Sequence, residues 1–308
     1  MFRKLSLGAK IAFGFGVIIV ITAVVGLTAW LGLRSVSEQV VAYEQGDEVA
    51  EHVNQCAMLR RDFAVMGFQK KDNETTAAEK WGEIYTNLVQ HLEGLQDNPA
   101  LTSDNRALIA TALQSSAKYK TAFGAIVDAR KGKDDAYSGW RKAGDGITVA
   151  VKDLVDKSIH PGVVAAEQAR NVDDLAKWAG IEAALDDQFI QAFLLLRVRA
   201  TNYTRTNADA EQKDYEQALE MAQAGLSQWR ESVAGESSLE AAGNILDGYL
   251  KEYQTAGTQF IASVLADRTA DAQMAAAAQE VLTSIGKLKT DLQDRMSHTV
   301  METSALAV

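Results

Sequence analysis

The sequence predicts an all-α protein: an N-terminal transmembrane helix, then six long helices forming two four-helix bundles stacked end to end. Three observations predict it. Only two prolines, Pro99 and Pro161, interrupt 308 residues, and a chain so poor in helix breakers favours long helices. Residues 11–33 carry no charge. Beyond them apolar residues recur at steps of three and four, with no period-two run and no hairpin dipeptide between alternating segments.

The uncharged stretch, IAFGFGVIIVITAVVGLTAWLGL from Ile11 to Leu33, has 23 residues. As a helix it is about 35 Å long, enough for a hydrocarbon core of about 30 Å. It exceeds the apolar region of a cleaved signal peptide, about 7–15 residues, so an uncleaved anchor is expected. Arg3, Lys4 and Lys10 precede it, whereas Glu38, Glu44, Asp47, Glu48 and Glu51 follow Arg34. The positive-inside bias then places residues 1–10 in the cytoplasm and residues 34–300 outside the membrane. Trp30 sits near the outer end, where an amphipathic ring is at home.

The first helix is expected to run on to about Lys71, with a stripe of Val49, Val53, Cys56, Arg60, Phe63 and Gly67. A second, about 75–96, carries Trp81, Tyr85, Leu88, Leu92 and Leu95. DNPALTSDN breaks it, and Ser103 or Asp104 is expected to cap the third, whose seam is Ile109, Ala112, Ser116, Tyr119, Phe123 and Ile126. That helix is expected to pass through KGKDD (131–135), with bends at Gly144 and Gly146, and to stop near Ser158 before a turn at His160-Pro161-Gly162. The fourth is expected over Val163–Thr206, with Trp178, Leu185, Phe189, Leu196 and Tyr203 on its seam. The fifth, about 209–234, has Tyr215, Leu219, Ala222, Leu226, Trp229 and Val233, and Gly235 stops it. The last starts near Ser238, with Leu246, Leu250, Tyr253, Gly257, Phe260 and Val264, then Val281, Ile285, Leu288 and Leu292. A helix reaching from there to Leu306 spans about 100 Å, too long for one bundle. Helices three and six are therefore expected to be shared by both.

The composition excludes several functions. With 41 acidic and 31 basic residues, net charge −10, the chain has no basic tract for a nucleic-acid backbone. A single cysteine, Cys56, allows no intrachain disulfide. His52, His91, His160 and His298 lack metal-ligand spacing. There is no P-loop, glycine-rich strand-to-helix turn, nucleophile elbow or metal-binding helix motif, and no carboxylate pair stands out. Neither enzymatic activity nor a cofactor or metal is expected.

The unusual residues are arginines. Arg60 falls in the stripe Val53, Cys56, Phe63; Arg199 lies between Leu196 and Tyr203; Arg268 continues Ile261 and Val264; Arg61 and Arg197 lie beside these stripes. A guanidinium at a bundle seam is costly unless an anion meets it, and its fork of donors matches a carboxylate. The partner is either a carboxylate of the protein or a bound ligand. Convergence of several arginines on one or two small pockets is expected, with Tyr203 beside them and Asn54, Thr201 and Asn202 nearby.

The opening MFRKLSLGAKIAFGFGVIIVITAVVGL and the arginine-bearing MLRRDF (58–63) and LLLRVRATNY (194–203) resemble the N-terminal part of bacterial methyl-accepting chemotaxis proteins. The region of roughly 250 residues beyond the membrane resembles their helical bimodular sensor domain, six helices in two stacked four-helix bundles. The resemblance implies a homodimeric receptor in the bacterial inner membrane, single-pass in this chain, whose periplasmic domain binds small organic acids. These are di- or tricarboxylates, with acetate in the second module of some members. It implies Arg60, Arg61, Arg197 and Arg268 as the anion-binding set; Arg199 and Tyr203 come from the seam reading. The family's second membrane helix, coupling module and methylated hairpin are absent from this sequence, and residues 301–308 are expected to lead into that second helix. The sensor half of a histidine kinase and a membrane-anchored helical adaptor for a protein partner are the alternatives.

Overall fold

The computed structural model describes residues 7–70 and 75–305. Arg3, Lys4 and residues 306–308 lie outside the described residues, so the polarity of the N-terminus and the run-in to a second membrane helix rest on sequence alone. The first helix, expected to reach about Lys71, stops at Met66, where Gly67 takes a left-handed conformation. The described residues are helical apart from the short connections between helices, and their one β feature is an isolated backbone bridge between Lys70 and Thr76. Its α-helices are α1 (Leu7–Met66), α2 (Ala77–Gln96), α3 (Ser103–Leu154), α4 (His160–Ala169), α5 (Val172–Ala184), α6 (Gln191–Thr206), α7 (Asp209–Ser232) and α8 (Ser237–Ala305). A π turn, Val155–Ile159, joins α3 to α4, and another, Leu185–Ile190, joins α5 to α6. The described residues thus form six continuous helical runs.

Helix ends follow local chemistry. Gly67, at φ 58°, ends α1, its N–H donating to the Phe63 carbonyl at 2.8 Å. Thr76 opens α2 with a reciprocal capping box: its Oγ1 accepts from the Glu79 N–H at 3.2 Å, and its own N–H donates to Glu79 Oε2 at 2.6 Å. Thr102, rather than Ser103 or Asp104, caps α3, because its Oγ1 accepts the Asn105 N–H. Helix α3 runs through residues 131–135 without a break.

The turn expected at Pro161 is absent, and the fourth helical run does not start at Val163. Pro161 lies in the first turn of α4, immediately after the π turn. There the His160 N–H bonds the Val155 carbonyl five residues back. The ladder has already shifted register where the proline's missing N–H would fall, which removes the usual penalty. The break lies later, at Arg170 (φ 51°). Asn171 then caps α5, its Oδ1 accepting from the Asp173 and Asp174 N–H groups at 3.1 and 3.2 Å, with two carboxylates in the first turn to complement the helix dipole.

The chain divides into two compact units. Unit 1 comprises residues up to Gly124 and from Ala270 onward; unit 2 is Ala125–Thr269. Helices α3 and α8 contribute to both. In unit 1, Val49, Val53, Leu88, Leu92, Leu95, Ile109, Ala112, Val281, Ile285, Leu288 and Leu292 form one core. Each fully buried leucine contributes about 1.5–3 kcal/mol. An aromatic group continues it: the Trp81 ring stacks on Phe123 (4.0 Å) and Tyr85 (5.2 Å), and Phe63 meets Phe123 edge-on (5.9 Å). In unit 2, Trp140 stacks on Phe260 (5.2 Å) and meets Tyr215 edge-on (5.1 Å), within a core that includes Phe189, Leu196, Tyr203, Leu226, Trp229 and Tyr253.

The N-terminal part of α1 is the one helical stretch among the described residues long and apolar enough to cross a membrane, and none of its most apolar window is buried. Thr22 and Thr28 turn their hydroxyls back onto the Ile18 and Val24 carbonyls at 2.9 Å, so their polar atoms are satisfied within the helix.

Candidate ligand site

On α6 the buried stripe is Phe193, Leu196, Ala200 and Tyr203. Arg197, Thr201 and Thr204 follow at i, i+4 and i+7 beside it, on one flank of the helix. On α3 the buried Trp140 is flanked by Tyr137 and Arg141 in the same way. These two flanks, with Tyr253 of α8, enclose a pocket of about 180 Å³ in unit 2, lined by Tyr137, Trp140, Arg141, Arg197, Ala200, Thr201, Thr204 and Tyr253.

Arg197 is held by three partners, one of them a carboxylate at long range. Its Nη1 donates to Thr148 Oγ1 at 3.4 Å, its Nη2 lies 3.6 Å from a well-exposed Asp145 carboxylate, and its guanidinium stands 6.0 Å from the Phe193 ring centroid. Gly144 packs beside it: a Cβ there would meet the Tyr253 ring at 3.4 Å and Arg197 Nε at 3.7 Å, ordinary van der Waals contacts. Arg141 makes no ion pair among the described residues. Beneath them, burial pushes the Tyr253 phenol pKa up, Arg197 drawing it partly back. Burial likewise pushes Tyr215 up to about 12. The Trp140 indole N–H and the Tyr215 hydroxyl are both buried and neither reaches an acceptor in bonding geometry, although they lie close enough for Trp140 to offset a little of that rise. The pocket therefore joins two permanent positive charges and the hydroxyls of Tyr137, Thr201, Thr204 and Tyr253 to an apolar floor of aromatic rings.

The six residues singled out in sequence do not gather in one place. Arg60 and Arg61 belong to unit 1; Arg197, Arg199, Tyr203 and Arg268 belong to unit 2. Arg60 pairs with Asp271 at 2.5 Å, while its buried Nε meets no acceptor. Arg61 is exposed on α1. Arg199, two residues past Arg197 and so on another side of α6, pairs with Asp214 at 2.9 Å. Arg268 is exposed rather than on the seam, which passes from Val264 through the half-buried Asp267 to Ala270 and Met274. It binds Asp209 Oδ1 at 2.7 Å and the Asn207 carbonyl at 2.5 Å, closing the end of α6. Tyr203 is fully buried, its hydroxyl donating to Gln212 Oε1 at 3.4 Å.

Of the six, Arg197 lines the pocket. Arg141 lies beyond Ile126, where the α3 stripe read from sequence ends. Carrying its steps on to Trp140 puts Arg141 one place beside a seam residue, the relation Arg197 has to Leu196. Among the described residues, no group of three or more His, Cys, Asp or Glu side chains is placed to hold a metal ion. No protein-family model matches the sequence, and comparison with curated proteins finds no match either.

Proposed function

We propose that the chain is the sensing region of a bacterial methyl-accepting chemotaxis receptor that binds a small carboxylate in the Arg141–Arg197 pocket. In this reading the first apolar stretch of α1 anchors the chain in the inner membrane. The basic residues before it face the cytoplasm, the rest is periplasmic, and each unit is a four-helix module. The observation that carries it is the meeting of Arg141 and Arg197, from two helices, over a pocket where Arg141 has no carboxylate of the protein. A carboxylate bridging them exchanges hydration for charge-assisted hydrogen bonds with a planar fork on each side. At about 180 Å³ the space lies below the range of about 300–1,000 Å³ common for larger ligands, which favours an acid of a few carbons.

The pocket also suggests how binding becomes a signal. Tyr253 belongs to α8, which continues unbroken from Ser237 to Ala305. Drawing α3 and α6 together over Tyr253 favours one placement of α8 over another, and helix shifts of about 1–2 Å are an established form of switching. The acid biases that equilibrium only through its different affinity for the two placements. Arg60, Arg199 and Arg268 are read as structural ion pairs with Asp271, Asp214 and Asp209.

Calorimetric titration of the detergent-solubilised chain with mono-, di- and tricarboxylates, each beside its neutral amide, tests the reading. Binding of an acid but not its amide is expected. Arg141→Ala and Arg197→Ala are each expected to cost about 1.5–3 kcal/mol, on the order of 10- to 150-fold in affinity. Folded variants that bind as tightly as the parent, or a chain that binds no acid, would overturn it.

A further inference from the structure

Unit 1 holds a pair of histidines that the carboxylate reading does not use. His52 on α1 and His91 on α2 meet edge to face, their ring centroids 5.1 Å apart at an interplanar angle of 71°. His91 Nδ1 donates to Glu48 Oε2 at 2.8 Å. His52 has no such anchor, since its Nδ1 is buried with no hydrogen-bond partner. The two rings thus sit in unlike surroundings on facing helices, one tied to a carboxylate and the other packed without an acceptor.

We propose that His52 and His91 form a proton-sensing pair, in which charging His52 under mildly acidic conditions weakens the packing of α1 on α2. An imidazolium at His52 is disfavoured by its half-buried place and by the neighbouring His91. The charges acting on it are few. On α1, Glu48 and Glu51 favour the charged form, and Glu51 also accepts from Gln55 Nε2 at 2.9 Å. On α2, His91 opposes it. Among the described residues of unit 1, the α8 charges paired with α1 are Lys289, bonded to Asp47, and Asp271, bonded to Arg60, and the α3 charge paired with α8 is Lys118, bonded to Glu280. None of these is among the groups that shift His52. The net result is a His52 pKa below the ordinary 6.5, with burial the largest cause. An unfolded chain then takes up this proton first as pH falls, so native stability is complete above about pH 6.5 and declines below it, down through the folded pKa.

The experiment is proton NMR titration of the imidazole resonances of the full chain in detergent micelles, with thermal unfolding at about pH 8 and about pH 5. His52 is expected to titrate below 6.5, and its midpoint to rise in His91→Gln, which removes the opposing charge. The melting temperature is expected to fall on acidification, and to fall less in His52→Gln, while His160→Gln keeps the parent response. A His52 midpoint at or above the ordinary value sinks the proposal. So does a midpoint unmoved by His91→Gln, or an acid response that survives intact in a folded His52→Gln chain. If His52→Gln does not fold, the titration of His91→Gln decides alone.

Discussion

Gly225 of α7 lies directly against the backbone carbonyl of Gln188, inside the π turn that joins α5 to α6, and a Cβ at position 225 would overlap that oxygen. The widened turn and the missing side chain are therefore one feature of unit 2. Gly225→Ala is expected to destabilise the protein by about 1–3 kcal/mol through over-packing. Gly180→Ala, on the exposed side of α5 with open space around it, is expected to stabilise by about 0.5–1 kcal/mol, the usual gain for alanine over glycine within a helix. Denaturant unfolding of the two variants checks both signs, and equal effects would count against the contact.

In the proposed reading, membrane insertion rests on the apolar run of α1. Ile21→Lys places a charge near the middle of that run, at a cost of about 2.5–3.5 kcal/mol on insertion scales. The fraction of chain that resists alkaline carbonate extraction from membranes is expected to drop, whereas Ile21→Leu leaves it unchanged.

Cys56 is buried beneath the Trp81 cluster, and loss of solvation pushes its thiol pKa up to about 12. The folded chain is expected to resist a thiol-specific disulfide reagent at about pH 8 and to react once unfolded. The sign of its pH effect follows. The unfolded thiol ionises near its ordinary value, about 8.5, while the folded one keeps its proton, so stability declines as pH rises above that value. Cys56→Ala is expected to flatten this alkaline decline in unfolding curves.

Ion pairs in unit 2 differ by burial. Lys133 and Asp267 meet at 2.7 Å with side chains only 15% and 29% exposed. Asp267→Ala leaves a largely buried ammonium without its partner, and is expected to cost about 1.5–3 kcal/mol. Arg268 and Asp209 are 49% and 77% exposed, so Arg268→Ala is expected to cost less than about 1 kcal/mol and to leave acid binding intact. A loss of acid affinity in Arg268→Ala would return that residue to the ligand set.

The helices were legible because a seam repeats its signature every three or four residues: Trp81, Tyr85, Leu88, Leu92 and Leu95 are all buried, as are Tyr215 through Val233 in their stripe. The junction near Pro161 was misread because proline is a local signal, whereas the π turn that accommodates it is a shift in the hydrogen-bond ladder with no residue signature. The better cue lay downstream, where Asn171 is followed by Asp173 and Asp174, a cap with acids in the first turn. For the arginines, sequence marked positions near seams but not their partners. Asp271, Asp214 and Asp209 reach Arg60, Arg199 and Arg268 across other helices or helix ends, and such pairings depend on helix rotation and register.

By itself the sequence determined the helical class, the long apolar N-terminal stretch and the faces that turn inward, because these follow from composition and spacing along one helix at a time. Tertiary structure decided which arginine meets a carboxylate and which does not, that Arg141 faces the same pocket as Arg197, and that His52 packs on His91. Those outcomes depend on distances of a few ångströms between residues far apart in the chain. Charge–charge and hydrogen-bond energies vary steeply over such distances, whereas the hydrophobic periodicity that builds a helix does not depend on its neighbours' register.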